Sequence, residues 1–351
     1  MVSGAHSDLM NSGNPAAMSG VALSDLSARG SLVLLGDDRT RFLQGQTTQD
    51  ISNLGDWHGA FTTFVTNKGR MISDGFVFIL PNEILLDVET NTQQSLIERF
   101  DHHIVADDVE VVDANVHYKH FAFFGPKALD LIVAFDARVS SFDFTKPNSI
   151  FKLETENIGE IYLSNPARGL GPEIDAYIPT GSEIAFKKAI EKSSETNEIG
   201  PIYHLSKEDL DHWRIQCGIP KYGVDLTEKN LPPEGGLDST GISYQKGCYI
   251  GQEVLNRLRA MGSITKKIVG VRFHEPLPSM HEDIQVLFDG KLVGQVTSVA
   301  KAKNSNSFFG LAMVKKDHWD VGQLLDWKME RTSKTGKLTI AKTPFSDEGS
   351  N

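Results

Sequence analysis

Residues 246–253 have the sequence KGCYIGQE, which is the most informative stretch of the chain about its fold and its chemistry. Two glycines flank the thiol of Cys248, and glycine permits tight turns and the close approach of a ligand to the backbone. Lys246 lies two residues before the thiol, and a helix-favouring run begins at Gln252. A cation and a helix N-terminus both lower a thiol pKa, which favours a reactive thiolate. The alternative is a small, buried side chain at a turn.

Several segments before this octet resemble motifs of one protein family. Their order and spacing along the chain, with the octet last, also match that family. These segments are 41–50 (RFLQGQTTQD), 66–74 (TNKGRMISD), 214–220 (RIQCGIP), 225–228 (DLTE) and 231–234 (LPPE). Together with the octet they are similar to the YgfZ proteins, which are relatives of the glycine-cleavage T-protein (GcvT). The resemblance extends over about residues 25–315.

The resemblance implies an α+β fold, with a GcvT/YgfZ-like folate-binding body of two intertwined subdomains and a C-terminal β-barrel. The pattern of the residues also favours α+β over a doubly wound sheet, because strands and helices alternate without a regular βαβ rhythm. Helical spacing predicts helices over 91–100, 183–194 and 207–217. Short β runs after residue 264, among them 268–273 and 284–288, predict a separate small barrel.

These patterns predict four regions along the chain. Residues 1–19 are rich in small and polar types and are expected to form a flexible tail. The folate-binding body then covers 20–263, and the barrel covers 264–342. A second flexible tail is expected over 343–351.

The composition excludes several classes of function. The 35 Lys and Arg against 46 Asp and Glu give a net charge of -11, which disfavours binding to the phosphates of nucleic acids. No run of apolar residues reaches the length of a membrane span, and no secretory signal is recognisable, so no membrane partner is predicted. Two cysteines are too few for a disulfide scaffold, and a reducing cytoplasm is the predicted compartment.

The resemblance implies tetrahydrofolate as the cofactor. A pterin ring needs a partly apolar slot with a few hydrogen-bonding groups, and the carboxylates of the glutamate tail suit a bidentate arginine. Arg214 occupies the position of such an arginine in the T-proteins, although an ordinary salt bridge is the alternative. Tyr249 belongs to the same expected cofactor-binding set.

A carboxylate assists the chemistry in T-proteins, and its position falls at about Gln94 in this chain. Glutamine cannot act as a general base, and Gln94 is kept only as an expected cofactor-binding residue. Glu173 or Asp175 could replace the carboxylate after a small shift in register, and Glu173 is included in the cofactor-binding set. The missing carboxylate and the added cysteine both favour the YgfZ branch.

Three functions are carried forward. The first is a folate-dependent role in the assembly or repair of iron–sulfur enzymes, with Cys248 and Lys246 as catalytic residues and iron–sulfur client enzymes or assembly factors as partners. Iron–sulfur clusters usually take four thiolates, so one cysteine cannot hold a cluster alone, and Cys217 is expected in the core. The second is an aminomethyltransferase, which requires Glu173 or Asp175 to line the cavity. The third is a non-enzymatic binding module.

No resident metal site is predicted. The pairs His102–His103 and His117 and His120 lack a companion carboxylate or thiol at metal-ligand spacing in the sequence. Surface or core positions are the simpler expectation for these histidines.

Overall fold

The computed structural model describes residues 20–262, 264–280, 282–303 and 305–345. The predicted tail over 1–19, and the part of the second tail after residue 345, lie outside these residues. The described chain divides into two compact units. The body unit comprises residues 20–206 and 238–255, and the barrel unit comprises 207–237 and 256–345. Within the described ranges, no helix combines the length and the apolar character that crossing a membrane requires.

The strands of the body unit form one mixed sheet in the order β11-β1-β7-β10-β9-β8-β3-β4-β5-β2-β6. Neighbouring strands are antiparallel except β1 and β11, which are parallel. The strands are β1 (Val21–Asp25), β2 (Gly30–Leu35), β3 (His58–Val65), β4 (Met71–Ile79), β5 (Ile84–Val88), β6 (Glu110–Asp113), β7 (Tyr118–Phe124), β8 (Ser149–Thr155), β9 (Gly159–Asn165), β10 (Glu173–Pro179) and β11 (Ile202–Leu205).

The three predicted helices are confirmed, the one over 207–217 with the same bounds and the other two with a few more residues. The helices are α1 (Arg39–Gln46), α2 (Thr90–His103), α3 (Ala128–Phe135), α4 (Glu183–Thr196), α5 (Lys207–Cys217), α6 (Asp238–Gly241) and α7 (Gln252–Met261). Short 3-10 turns lie at Ala114–Val116, Ala137–Ser141, Pro232–Gly235 and Lys316–His318. In α2, Leu96 and Phe100 are four residues apart and are both buried, as the helical spacing predicts.

The two halves of the sheet share an inner layer of side chains. Helices α3 and α4 cover the outer face of β1 and β7–β10, and α1 and α2 cover the outer face of β2–β5. The opposite faces of both halves meet in one apolar cluster, which includes Val33 and Phe78 from one half and Tyr162 and Tyr177 from the other. The halves therefore pack against each other through this inner layer.

Strand β10 shows how the sequence directs polar groups into that layer. Successive side chains of a strand point to opposite faces. The even-numbered residues from Ile174 to Ile178 join the helix-side core, and Tyr177 joins the inner cluster. Glu173 and Asp175 share the face of Tyr177 and are buried, so this end of the inner layer receives two carboxyl groups.

The barrel unit contains a closed barrel in the order β12-β15-β14-β13-β16-β17. Its strands are β12 (Lys266–Phe273), β13 (Ile284–Phe288), β14 (Lys291–Lys301), β15 (Phe308–Lys315), β16 (Leu324–Met329) and β17 (Thr335–Ala341). Inward side chains such as Val271, Trp327 and Met329 fill its core. The predicted fold class, α+β with a C-terminal β-barrel, is confirmed.

The edges of the barrel unit differ from the predicted boundaries. Helix α5 places Ile215 in an apolar cluster with Phe309 and Leu311 of β15, so residues 207–237 group with the barrel strands. Phe345, expected in a polar tail from residue 343, is buried in the same cluster. Its N–H donates to the carbonyl of Gln216 at 2.8 Å. Both differences have the same cause, since Ile215 and Phe345 help to cover an apolar surface that includes Phe309 and Leu311 of β15.

Helix α4 offers a test of the core on the outer face of the sheet. Ile190 is 1% exposed and Ile184 is 84% exposed in the same helix. Ile190→Ala should lower the free energy of unfolding by about 2–5 kcal/mol, because it leaves a cavity. Ile184→Ala, the matched control, should change it by less than about 0.5 kcal/mol. Urea denaturation measures both, and equal losses would contradict this packing.

Candidate functional site

Lys246 is buried and anchors the octet to the end of helix α1. Its Nζ donates to the carbonyl oxygens of Gln44, Thr47 and Gln49 at 2.7, 2.8 and 2.8 Å. Burial lowers the pKa of Lys246 to about 8. Carbonyl oxygens at a helix C-terminus attract a cation, which favours the charged form. The ammonium group is therefore held by the backbone, and a catalytic function for Lys246 stays a prediction.

The rest of the octet is fixed by packing and by one glycine. Tyr249 is buried in a cluster with Val65 and Leu255, and its ring centre lies 5.1 Å from Nζ of Lys246. Gly251 has φ +85, and a Cβ there would lie 2.4 Å from the carbonyl oxygen of Thr66. Only glycine fits this position without strain. Tyr249 therefore packs in the core of this loop, and its contact with a cofactor stays a prediction.

The two cysteines have different environments. Cys248 is exposed, between the buried Lys246 and Tyr249, so the loop presents its thiol to solvent. Cys217 is partly buried, and burial raises the pKa of its thiol to about 11. A thiol with so high a pKa is a poor nucleophile near neutral pH.

A buried ion-pair network lies at the polar end of the inner layer. Arg168 donates through Nη1 and Nη2 to the two carboxylate oxygens of Asp175, at 2.9 and 2.5 Å. Its Nη2 also donates to Oδ2 of Asp87 at 2.9 Å. Arg29 completes the partners of Asp87 through Nε at 2.6 Å, and His120 lies 2.6 Å from Asp175 through Nε2. The guanidinium groups hold the pKa of Asp87 and Asp175 below the usual range against the effect of burial.

The network has the residue types of a metal site, but its carboxylate oxygens are bonded to other side chains. Asp87, His120 and Asp175 each offer a ligand atom, and these atoms lie within 4.8 Å of one another. The sequence alone suggested no carboxylate companion for His120, and the fold supplies Asp175. The carboxylate oxygens of both aspartates are already bonded to Arg29, Arg168 or His120. The three residues therefore belong to an ion-pair network with Arg29 and Arg168.

Glu173 lies beside the network and lines a cleft of about 600 Å³. Its Oε1 accepts the backbone N–H of Arg168, and its Oε2 is buried without a hydrogen-bond partner. Burial raises the pKa of Glu173 to about 7, and the neighbouring carboxylates of Asp175 and Asp87 act in the same direction. Glu173 therefore exchanges a proton near neutral pH, whereas Asp175 stays ionised.

The wall of this cleft is mostly apolar. It is lined by Pro126, Ala128, Leu129, Phe144, Thr145, Pro147, Asn165, Ala167, Gly169, Gly171, Pro172, Glu173 and Ile174. Apolar walls with a few polar groups are typical of small-molecule sites. Glu173 is the one ionisable side chain in this lining.

Gln94 and Arg214 lie in settings that differ from the expected ones. Gln94 is exposed on α2, and its side-chain amide donates to Glu98 at 3.0 Å. Arg214 is 8% exposed and belongs to the barrel unit. It donates to Asp211 at 2.7 Å, to Asp225 at 2.7 Å and to Ser298 at 2.9 Å. A further bond to the carbonyl of Ile219 at 3.1 Å leaves one of its five N–H groups for another partner.

Asp225 explains why Arg214 is held so firmly. One oxygen of Asp225 accepts from the hydroxyls of Thr297 and Ser298 at 2.5 and 2.7 Å, and the other accepts from Arg214. The pair joins the segment after α5 to strand β14. Arg214 therefore makes a buried salt bridge, the alternative considered for it, and its contact with a folate stays a prediction.

The sequence did not assign a function to Asp87, Arg168 or His120. A usable signal was present, since Asp87 and Asp175 interrupt strands that are otherwise apolar. A charged residue at such a position needs a buried partner. The partner itself could not be read from the sequence, because Asp87 and Arg168 are 81 residues apart.

Comparisons with known proteins define the class to which this chain belongs. Residues 6–163 match the GCVT N-terminal domain, and residues 266–347 match the glycine cleavage T-protein C-terminal barrel domain. The chain belongs to the family of GcvT-like proteins. The two domain matches confirm the resemblance at the level of the family, and membership of the YgfZ branch stays a prediction.

Individual relatives agree with this membership. A chloroplastic protein of Arabidopsis thaliana, named as a transferase, is 31% identical over 86% of this chain and 67% of its own length. The aminomethyltransferase of Oceanobacillus iheyensis is 27% identical over 93% of this chain and 87% of its own. The aminomethyltransferase of Staphylococcus haemolyticus is 25% identical, with coverages of 87% and 82%.

One solved structure supports the fold. The glycine cleavage system aminomethyltransferase T from Bartonella henselae aligns with a TM-score of 0.78 over 93% of this chain and 87% of that chain. The sequences are 14% identical, so this likeness concerns the fold alone.

The environment of Arg214 leads to a stability prediction. Arg214→Met should lower the free energy of unfolding of the barrel unit by about 3–5 kcal/mol, because it leaves Asp225 buried without its cation. Arg331 is exposed in the same unit, and Arg331→Met is the control, with an expected change below about 0.5 kcal/mol. Urea denaturation measures both variants. An unchanged stability for Arg214→Met would argue against the anchoring function and return Arg214 to its expected place as a folate ligand.

Proposed function

We propose that the protein is a folate-dependent one-carbon transferase of the aminomethyltransferase type, with tetrahydrofolate as the acceptor. Two kinds of observation support this. Relatives that align over most of the chain are named aminomethyltransferase. The body unit also has a cleft with one buried carboxyl group, Glu173, whose pKa is raised to about 7. The raised pKa of Glu173, which borders this cleft, is the observation on which the proposal depends.

The cleft has the size and the character that a reduced folate requires. Small-molecule pockets usually measure about 300–1,000 Å³, and this cleft has a volume of about 600 Å³. Leu129, Phe144 and Ile174 supply apolar contact for a ring, and Asn165 and Thr145 supply polar groups. A pterin has adjacent N–H donors and ring acceptors, and these suit a carboxyl group that changes its protonation near neutral pH.

The proposed reaction explains why such a group is needed. When a methylene group passes from an aminomethyl thioether to tetrahydrofolate, two nitrogens of the folate lose a proton each. One proton goes to the departing amine and the other to the departing thiolate. A general acid–base is most effective when its pKa lies near the working pH. Gln94 cannot serve, and the pKa of Asp175 is held below its usual range, so among these three positions Glu173 is the proposed proton carrier.

Glu173→Gln tests this proposal because it keeps the size of the side chain and removes the titration. Tetrahydrofolate binding, measured by calorimetry, should persist in the variant within about tenfold, since an amide can still form hydrogen bonds. Transfer from an aminomethyl-lipoyl carrier should fall by roughly 10²–10⁴-fold. Glu156→Gln, at an exposed position, is the control and should match the unaltered protein.

Two outcomes would decide against the proposal. If tetrahydrofolate does not bind the unaltered protein, the folate site is refuted, and the non-enzymatic binding module becomes the better description. If tetrahydrofolate binds but Glu173→Gln transfers the one-carbon unit at the normal rate, the proton-transfer function of Glu173 is refuted.

A second candidate function rests on the exposed thiol. Cys248 is presented to solvent by a loop that Lys246 and Tyr249 hold in place, which suits chemistry with a partner. We keep the YgfZ-type function, in assembly or repair of iron–sulfur enzymes, on this observation. A free thiol persists in a reducing compartment, and the cytoplasm remains the predicted one, although the Arabidopsis relative is named as chloroplastic.

The two cysteines provide a matched test of this second candidate. In cells that depend on this protein for the activity of an iron–sulfur enzyme, Cys248→Ser should abolish the support and Cys217→Ser should retain it. Alkylation of the purified protein should modify Cys248 well before Cys217, because burial raises the pKa of Cys217 to about 11. Full support of the iron–sulfur enzyme by Cys248→Ser would exclude a thiol mechanism.

A further inference from the structure

The guanidinium group closest to Glu173 is directed to other residues. Nη1 of Arg168 lies 3.8 Å from Oε2 of Glu173, beyond hydrogen-bonding distance. The same nitrogen donates to Asp175 at 2.9 Å, and Nη2 donates to Asp175 at 2.5 Å and to Asp87 at 2.9 Å. The only bond from Arg168 to Glu173 comes from its backbone N–H to Oε1. Glu173 thus lies beside a cation that makes no hydrogen bond to its Oε2, and the charge of Arg168 lowers the pKa of Glu173 by less than burial raises it.

The charges around Glu173 explain why a proton is retained there. Asp175 comes from the same strand as Glu173, Asp87 from β5 and Arg168 from the preceding loop. Arg29 bonds Asp87 and also Glu89, at 2.5 Å, so the two guanidinium groups already face three carboxylates. An ionised Glu173 would add a fourth negative charge, and neither Arg29 nor Arg168 would have a guanidinium nitrogen directed to it. His120, on β7, is bonded to Asp175 and does not offset Glu173.

We propose that Asp175 is a positioning residue for Glu173: by binding both terminal nitrogens of Arg168, it leaves Glu173 as a neutral acid with an unpaired O–H on Oε2. Asp87 supports the same arrangement through its bond to Nη2. This inference rests on the proposed function only for the ligand that Glu173 would contact, which is the folate proposed for the cleft. The protonation of Glu173 itself does not depend on that ligand.

The inference narrows the class of ligand atom that Glu173 can meet. A neutral acid donates its O–H to an acceptor, such as a ring nitrogen or a carbonyl oxygen. An ammonium or guanidinium group would instead require the ionised form of Glu173. A ligand atom that reaches Glu173 at pH 6 should therefore be an acceptor of a neutral ring rather than an aliphatic amine.

Infrared difference spectroscopy across a pH titration tests the inference in the absence of any ligand. Burial raises the pKa of both Glu173 and Asp74 to about 7, so the unaltered protein should show carbonyl stretches of protonated carboxylic acids that are lost as the pH rises through this value. The component that is missing in Glu173→Gln is the Glu173 band. In Asp175→Asn the released Arg168 can pair with Glu173. The band should then disappear at a pH lower by roughly 1–3 units, because a cation at close range favours the carboxylate by that amount.

Two further variants make the test specific. Adding Arg168→Gln to Asp175→Asn should move the loss of the band back toward neutral pH, since the released cation is then removed. Asp136→Asn affects a pair in which Arg138 is exposed and Asp136 is partly buried, and it should leave the titration of Glu173 unchanged. If Asp175→Asn does not fold, Asp87→Asn frees one contact of Arg168 and should produce a smaller shift in the same direction.

Each outcome supports or overturns the inference. A band in Asp175→Asn that titrates as in the unaltered protein would overturn it, and so would the same result in Asp87→Asn if that variant is used. Failure of the proposed function is a separate result, because tetrahydrofolate calorimetry measures it. An infrared shift without folate binding would support the inference and reject the folate site. Folate binding without the infrared shift would support the folate site and reject the inference.

Discussion

The bidentate contact between Arg168 and Asp175, extended to Asp87, is the interaction on which the site depends. Asp87 lies on β5 and Asp175 on β10, which belong to different halves of the sheet, so Arg168 joins the two halves at the polar end of their shared layer. Charges buried in this way are tolerated only when every oxygen is bonded. That requirement fixes the loop before β10 and with it the position of Glu173.

Two other buried cations fix loops in a similar manner. Lys246 binds three carbonyl oxygens after α1 and holds the octet loop, from which Cys248 is presented. In the barrel unit, Arg214 binds Asp225 and joins the segment after α5 to β14. A long cationic side chain can serve a ligand or the protein itself, and the number of bonds it makes within the fold distinguishes the two. Lys246 makes three bonds to backbone carbonyl oxygens and Arg214 makes four bonds within its unit, so both hold the fold in place.

Membership of the GcvT-like family fixes the body on which chemistry takes place but not the chemistry. A fold supports several functions, and the groups at the site decide between them. This chain has a carboxyl group that titrates near neutral pH in a cleft, and it also has an exposed thiol on an anchored loop. The first group suits proton transfer within a bound ligand, and the second suits covalent or redox chemistry with a partner.

The sequence alone determined the local elements and the fold class: the spacing of Leu96 and Phe100 predicts α2, and the short β runs after residue 264 predict the barrel. It also located the octet. Only the tertiary structure decided the partners, among them the pairing of His120 with Asp175 and the internal bonds of Arg214. The reason is physical, since periodicity and turn chemistry act between neighbours in the chain. Ion pairs form between residues that strand pairing brings together from distant segments.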